Sequence, residues 1–162
     1  MRTKTGQWGF TLVEVMIVVA IVGILAAVAT PMITAMLPRY HLRAEARELV
    51  INLKKAKMEA VKRNRDVVIN FTGAGTPNGS YQMYVNVDKI TPRTFNSPPD
   101  IQLVNQQMRR NVQLVSTTFA ANQAGYNPRG IPLSLGNVVL ATSDGSRSYT
   151  LTVSSAGNVR LQ

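Results

Sequence analysis

Val15-Met16-Ile17-Val18-Val19-Ala20-Ile21-Val22-Gly23-Ile24-Leu25-Ala26-Ala27-Val28-Ala29 carries no polar side chain. Outward from this stretch, apolar sequence extends from Phe10 to Pro38, and its one charge is Glu14. Crossing the hydrocarbon core takes about 20 mostly apolar residues at roughly 1.5 Å each, so the run is long enough. A cleaved secretory signal has a shorter apolar region, about 7–15 residues, followed by a small-x-small site. Here the apolar run passes straight into helix-forming sequence, which reads as a retained transmembrane helix over residues 10–38.

The rest of the composition limits what can follow that helix. A chain of 162 residues holds one ordinary domain beyond it. With no cysteine there is no disulfide, thiolate metal site or cysteine nucleophile. The single histidine, His41, leaves no His-based triad or zinc cluster, and the spacing of the acids suggests no metal site. No cofactor is implied, and the chain does not read as an enzyme. The formal charge of +10 is unevenly placed. Residues 39–65 hold nine bases against three acids, whereas residues 66–162 hold seven against four. The excess therefore sits mainly just beyond the apolar run.

Glu14 is the residue that the apolar run does not explain. A carboxylate within a membrane span costs on the order of 2.5–3.5 kcal/mol, so it is a functional candidate. Its flanks, Gly9-Phe10-Thr11-Leu12-Val13-Glu14, resemble the type III signal of type IV prepilins. That resemblance implies that Met1–Gly9, with Arg2 and Lys4, is a short basic leader facing the cytoplasm. A membrane prepilin peptidase would cut after Gly9 and N-methylate Phe10, placing Glu14 fifth in the mature chain. There the helix dipole favours a negative charge by about 0.3–1 kcal/mol. The amine of Phe10 in a neighbouring subunit is the expected partner, a pairing that would set the register of assembly. Charge flanking alone leaves the orientation open, since Arg39, Arg43 and Arg47 lie beyond the other end.

Beyond Pro38, apolar residues recur at Leu42, Ala46, Leu49, Val50, Leu53, Ala56, Ala60 and Val61. Steps of three and four mark one face of an amphipathic helix over residues 39–65, with Pro31 and Pro38 as expected bends. Pro31 also matches the kinking proline common in type IV pilins. From Asp66 the period changes to two. Val67–Phe71, Tyr81–Val87, Asn111–Phe119, Val138–Ala141 and Ser148–Val153 read as strands, and Val159–Leu161 closes the chain. In the second of these, Tyr81, Met83, Val85 and Val87 are expected inside, and Gln82, Tyr84 and Asn86 outside. Loops are expected at Thr72–Ser80, Thr91–Asp100 and Ala120–Pro132, and Asp144-Gly145 marks a hairpin. The expected fold is α+β, a long N-terminal pilin helix packed on an antiparallel β domain over residues 66–162.

Leu53–Asn64 followed by Val67-Val68-Ile69, Tyr126-Asn127-Pro128-Arg129-Gly130 and Gly157-Asn158-Val159-Arg160 resemble GspH/FimT-type minor pilins and pseudopilins, in the family's order. The resemblance implies a structural subunit near the tip of a type IV pilus or a type II secretion pseudopilus. Its partners would be the peptidase, other pilin subunits and the inner membrane, with the β domain in the periplasm. Some FimT-like minor pilins bind DNA through a C-terminal Gly-Arg-x-Arg pattern, which makes Arg160 a candidate DNA contact; Arg147, Arg129 and the pair Arg109-Arg110 would join it by clustering on one face. Asn158 stands where that pattern has its first arginine.

Overall fold

The computed structural model describes residues 10–76, 79–88 and 93–162. The leader, with its proposed cleavage position Gly9, lies outside the described residues, as do parts of the two loops expected after the first and second strands. The chain divides between Leu37 and Pro38 into two compact units.

In the first unit the backbone is helical from Leu12 onward, and every residue from Phe10 to Leu37 is exposed. The hydroxyls in this apolar surface are satisfied within the helix. Thr30 Oγ1 donates to the Ala26 carbonyl at 2.7 Å, and Thr34 Oγ1 to the Pro31 carbonyl at 3.1 Å. Without water, such back-bonding is how a threonine is accommodated on a helix. The helix is α1 (Leu12–Arg63), and Pro31 and Pro38 both lie within its range.

The second unit begins with the remainder of α1 and continues, among the described residues, into eight strands. α1 stops where its sequence lets it: Asn64 takes φ 51°, in the left-handed region where asparagine is tolerated. The Arg65 N–H then reaches the Ala60 carbonyl at 3.2 Å and the Asn64 N–H the Val61 carbonyl at 3.4 Å, closing a Schellman motif. The strands are β1 (Asp66–Thr72), β2 (Ser80–Asn86), β3 (Ile101–Gln107), β4 (Val112–Thr117), β5 (Gln123–Tyr126), β6 (Gly136–Thr142), β7 (Ser148–Val153) and β8 (Val159–Leu161). They form two antiparallel four-stranded sheets, in the orders β3-β2-β1-β5 and β4-β6-β7-β8.

One core joins all three layers. Leu42, Ala46, Leu49, Leu53, Ala56 and Ala60 of α1 are fully buried with Val67, Ile69 and Met83 of the first sheet and Leu114, Leu140 and Leu151 of the second. Phe71 of β1 stacks on Phe119, two residues beyond β4, with ring centroids 5.9 Å apart. Of the expected helix stripe, Val61 departs: it is 54% exposed. Two polar residues, Glu45 and Asn52, take buried places on the face instead.

The strand expectations need three corrections. The segment expected to be a loop at 120–132 contains β5, which pairs along β1 from Val67↔Tyr126 to Asn70↔Gln123. Its Ala-Gly core gives no alternating signal, and Gly125 is where β1 passes too close for a side chain: an added Cβ would lie 2.4 Å from the Val67 carbonyl oxygen. β3, rich in glutamine, had not been assigned. Tyr84 and Asn86 are buried rather than turned to solvent. The chain after β2 folds over that face: the Tyr84 hydroxyl donates to the Arg93 carbonyl, and its ring packs edge-on to Phe95 at 5.2 Å.

Candidate functional site

The start of α1 carries the chemistry singled out in the sequence. Thr11 is the N-cap: its Oγ1 accepts from the Glu14 N–H at 3.2 Å, while its carbonyl accepts the Val15 N–H at 3.2 Å. Thr11-Leu12-Val13-Glu14 is thus a Thr-x-x-Glu capping sequence, a signal present in the chain but not used in the sequence reading. It fixes Glu14 in the first helical turn, where orphan N–H groups and the helix dipole favour a carboxylate. Phe10 immediately precedes the cap and is 82% exposed. The two proposed assembly groups therefore lie within one helical turn of each other, on a segment whose 18-residue window has mean hydropathy 2.9 and no buried share. Length and composition fit a membrane span.

In the β domain, the residues that carried the family resemblance meet at one place, and their role there is structural. The Tyr126 hydroxyl donates to the Gly157 carbonyl at 3.3 Å, and Lys57 Nζ to the Ala156 carbonyl at 3.3 Å. Gly157 has φ +74°, and a Cβ on it would lie 3.0 Å from both the Gly130 carbonyl oxygen and Lys57 Nζ. Helix, β5 loop and final turn are locked together there. Burial pushes the Tyr126 hydroxyl up to about 12, so it remains a neutral donor.

A second polar junction ties α1 to the loop between β3 and β4. Arg109 Nε donates to Glu45 Oε1 at 2.9 Å, and Arg109 Nη2 lies 3.8 Å from Glu48 Oε2. The Glu45 carboxylate is fully buried and its Oε2 has no partner. Burial, with Glu48 adding to it, raises its pKa above the ordinary value, and Arg109 pulls the other way. Four residues beyond Glu48, Asn52 Nδ2 donates to the buried Tyr81 hydroxyl at 2.7 Å. Neither pair was anticipated, because a polar residue in an apolar stripe reads as a solvated position when its partner lies far along the chain.

Of the candidate DNA-contact arginines, Arg109 is held by Glu45, and Arg147 lies apart from Arg129 and Arg160. Arg160 lies on β8 opposite Thr152, beside the 154–158 turn, and is exposed. Arg129, also exposed, neighbours Gly130 at that same end. Arg147 is in the β6–β7 turn, at the other end of β7. Among the described residues no group of three His, Asp or Glu is placed to hold a metal.

A continuous N-terminal helix, a capped acidic first turn and two antiparallel sheets together define a pilin-type subunit. Residues 7–30 match the prokaryotic N-terminal methylation motif, and residues 45–157 match the type II transport protein GspH. The chain belongs to the GspH family of minor pilins and pseudopilins, which are structural proteins of type IV pili or type II secretion. It is 27% identical over 158 residues to the pilin-like protein PilA1 of Thermus thermophilus, covering 95% of this chain and 97% of that protein. It is 41% identical over 111 residues to a fimbrial protein of Pseudomonas aeruginosa, 68% of each chain. Among solved structures it resembles the minor pseudopilin EpsH of the Vibrio cholerae type 2 secretion system, with TM-score 0.56 and 15% identity, covering 75% of this chain and 96% of that one. It also resembles the type IV minor pilin FimU of Pseudomonas aeruginosa, with TM-score 0.54 and 17% identity, covering 75% and 92%. At these identities the structural likeness speaks for the fold. The N-terminal methylation motif implies processing by a prepilin peptidase and assembly with other pilin subunits.

Proposed function

We propose that the chain is a minor subunit made as a precursor in the inner membrane, cut after Gly9, N-methylated at Phe10 and incorporated near the filament tip. In this reading the β domain is periplasmic until assembly, and catalysis plays no part. The observation that carries it is the placement of Glu14 in a capped first helical turn, one turn from the new amine that cleavage would create. In a water-poor setting each of these charges lacks a counter-ion, and pairing the carboxylate with the Phe10 amine of a neighbouring subunit neutralises both. Thr11 strengthens the arrangement by holding the helix start, so that Glu14 has a defined position from which to select register.

A DNA-capturing role would call for Arg129, Arg147 and Arg160 on one face. With Arg147 at the far end of β7, the observations favour assembly.

Mass spectrometry of the chain isolated from its native membrane tests the processing step. The expected N-terminus is methylated Phe10, replaced by an intact Met1 terminus in Gly9→Ala. An uncut wild-type chain in cells that contain the peptidase would refute it. Glu14→Ala tests the second step separately: it is expected to be cut and methylated yet absent from sheared filaments.

A further inference from the structure

Among the described residues the two sheets have four edges, two of them covered and a third short and charged. β5 has four residues and is shielded by the returning chain, with the Leu133 N–H on the Gly125 carbonyl and the Asn127 N–H on the Ile131 carbonyl, both at 2.9 Å. β4 is bridged by Thr76, and its Leu114 carbonyl accepts the Gly75 N–H at 2.8 Å. β8 is three residues long and carries Arg160. Short strands, charges and covering segments are the usual protections of a sheet edge.

Among the described residues β3 has none of these three, its one irregularity being a register shift against β2. Ile101-Gln102-Leu103-Val104-Asn105-Gln106-Gln107 contains no charge, proline or glycine in a chain of net charge +10. Among the described residues, its backbone hydrogen bonds within the sheet run only to β2. The register shifts near Leu103, after which Val104–Gln107 pair regularly with Met83–Ser80.

A row of carboxamides also ends there. The register places Gln123 of β5 opposite Asn70 of β1, Asn70 opposite Gln82 of β2, and Gln82 opposite Asn105 of β3. Gln82 Nε2 donates to Gln102 Oε1 at 2.8 Å, an amide pair that crosses strands on this face, while Gln123 Nε2 donates to the Arg93 carbonyl at 2.6 Å. Each carboxamide both donates and accepts, and stacked amide rows stabilise added strands. Asn105, the last of the row, is exposed.

We propose that β3 is a strand-addition site for an extended, uncharged segment of a different filament subunit, one that sets a carboxamide beside Asn105. This rests on the assembly reading. The edge supplies backbone groups and amides but no counter-charge, so a charged strand would lose hydration against it without compensation. Antiparallel pairing of β3 with itself, about a twofold axis normal to the sheet, would turn residues 38–63 end for end between copies. Subunits drawn from one membrane share a direction, which selects a different subunit over a second copy.

The test uses the full-length chain in cells that assemble the filament, with benzoylphenylalanine replacing Gln107 at the exposed end of β3. After irradiation, sheared filaments are digested and the adducts sequenced by mass spectrometry. The expected result is a cross-link to one uncharged, extended segment of another subunit. Adding Gln102→Lys with Asn105→Lys should lower its yield by about tenfold, because lysine on an edge opposes pairing, while the melting curve is retained. Cross-links to a second copy, a yield unchanged by the two lysines, or an incorporated but uncross-linked chain would each overturn the edge assignment. A chain absent from filaments would remove the assembly reading, and the edge proposal with it.

Discussion

Arg109→Ala removes the one partner, among the described residues, of a carboxylate that has no access to water. Arg109 is itself 47% exposed, so the arginine loses little when the pair is broken, and the cost falls on Glu45. That cost has a ceiling. The buried carboxylate can always take a proton, and from the ordinary value of 4.5 to pH 7 that escape costs about 3.4 kcal/mol at about 1.36 kcal/mol per unit. Because burial already holds the pKa above 4.5 in the wild type, part of the burden is present before the mutation. The expected loss is thus about 2–3 kcal/mol at pH 7, below the 3–5 kcal/mol typical of breaking a fully buried pair. The sign of the pH dependence follows from the same group. A carboxylate whose folded pKa lies above its unfolded value favours folding below about 4.5 and loses that contribution as pH rises through the folded value. Removing Arg109 lifts the folded value further, so the deficit of the variant shrinks as pH is lowered from 8 toward 5. Tyr81, Tyr84 and Tyr126 are buried in the β domain, so near-UV circular dichroism during urea unfolding of the detergent-solubilised chain reports on this unit. The control is Arg110→Ala, at an exposed neighbour. In a Glu45→Leu background, Arg109→Ala should cost less than about 0.5 kcal/mol, as expected once the two side chains no longer interact. A loss that is constant from pH 8 to 5, or that persists in the Glu45→Leu background, would refute the reasoning.

Gly157→Ala should destabilise by about 1–3 kcal/mol, since the substitution meets both a positive φ and crowding from the Gly130 carbonyl; the melting temperature checks it, with Gly145→Ala as an uncrowded positive-φ control. Asn52→Ala and Tyr81→Phe should each cost about 1–2 kcal/mol, and the double variant should cost less than their sum because they share one hydrogen bond. Thr11→Ala removes the cap of α1 and should lower the yield of incorporated chain without abolishing cleavage after Gly9; blotting of membrane and filament fractions separates the two effects.

What was legible in the sequence was periodic or local. The apolar run, the helix face through Leu42, Leu49 and Leu53, and the strands around Val67–Phe71 and Ser148–Val153 each announce themselves within a few residues, because burial of one face imposes a period. What escaped depended on distant partners. Glu45 and Asn52 are acceptable inside the helix face only because Arg109 and Tyr81 arrive from elsewhere in the chain. β5 is a strand because β1 has a free side, which Ala124-Gly125 can approach closely where larger residues could not. β3 lacks the β-branched alternation that marks a strand, and the amide of Gln102 finds its partner, Gln82, across the sheet.

The site followed the same division. Phe10 to Glu14 is a contiguous stretch within the match to the N-terminal methylation motif, whereas the spacing of Arg147 and Arg160 toward the two ends of β7 depends on strand pairing. The family's later motif residues, Tyr126, Gly130 and Gly157, converge on a structural lock rather than on a ligand site. Their identities are set by a donor that must reach a carbonyl and by backbones that pass too close for a side chain. That leaves the surfaces, not the recognisable motifs, free to differ from one such subunit to the next. The neutral edge of β3 is therefore a better place to look for what distinguishes this chain than the residues by which its family is recognised.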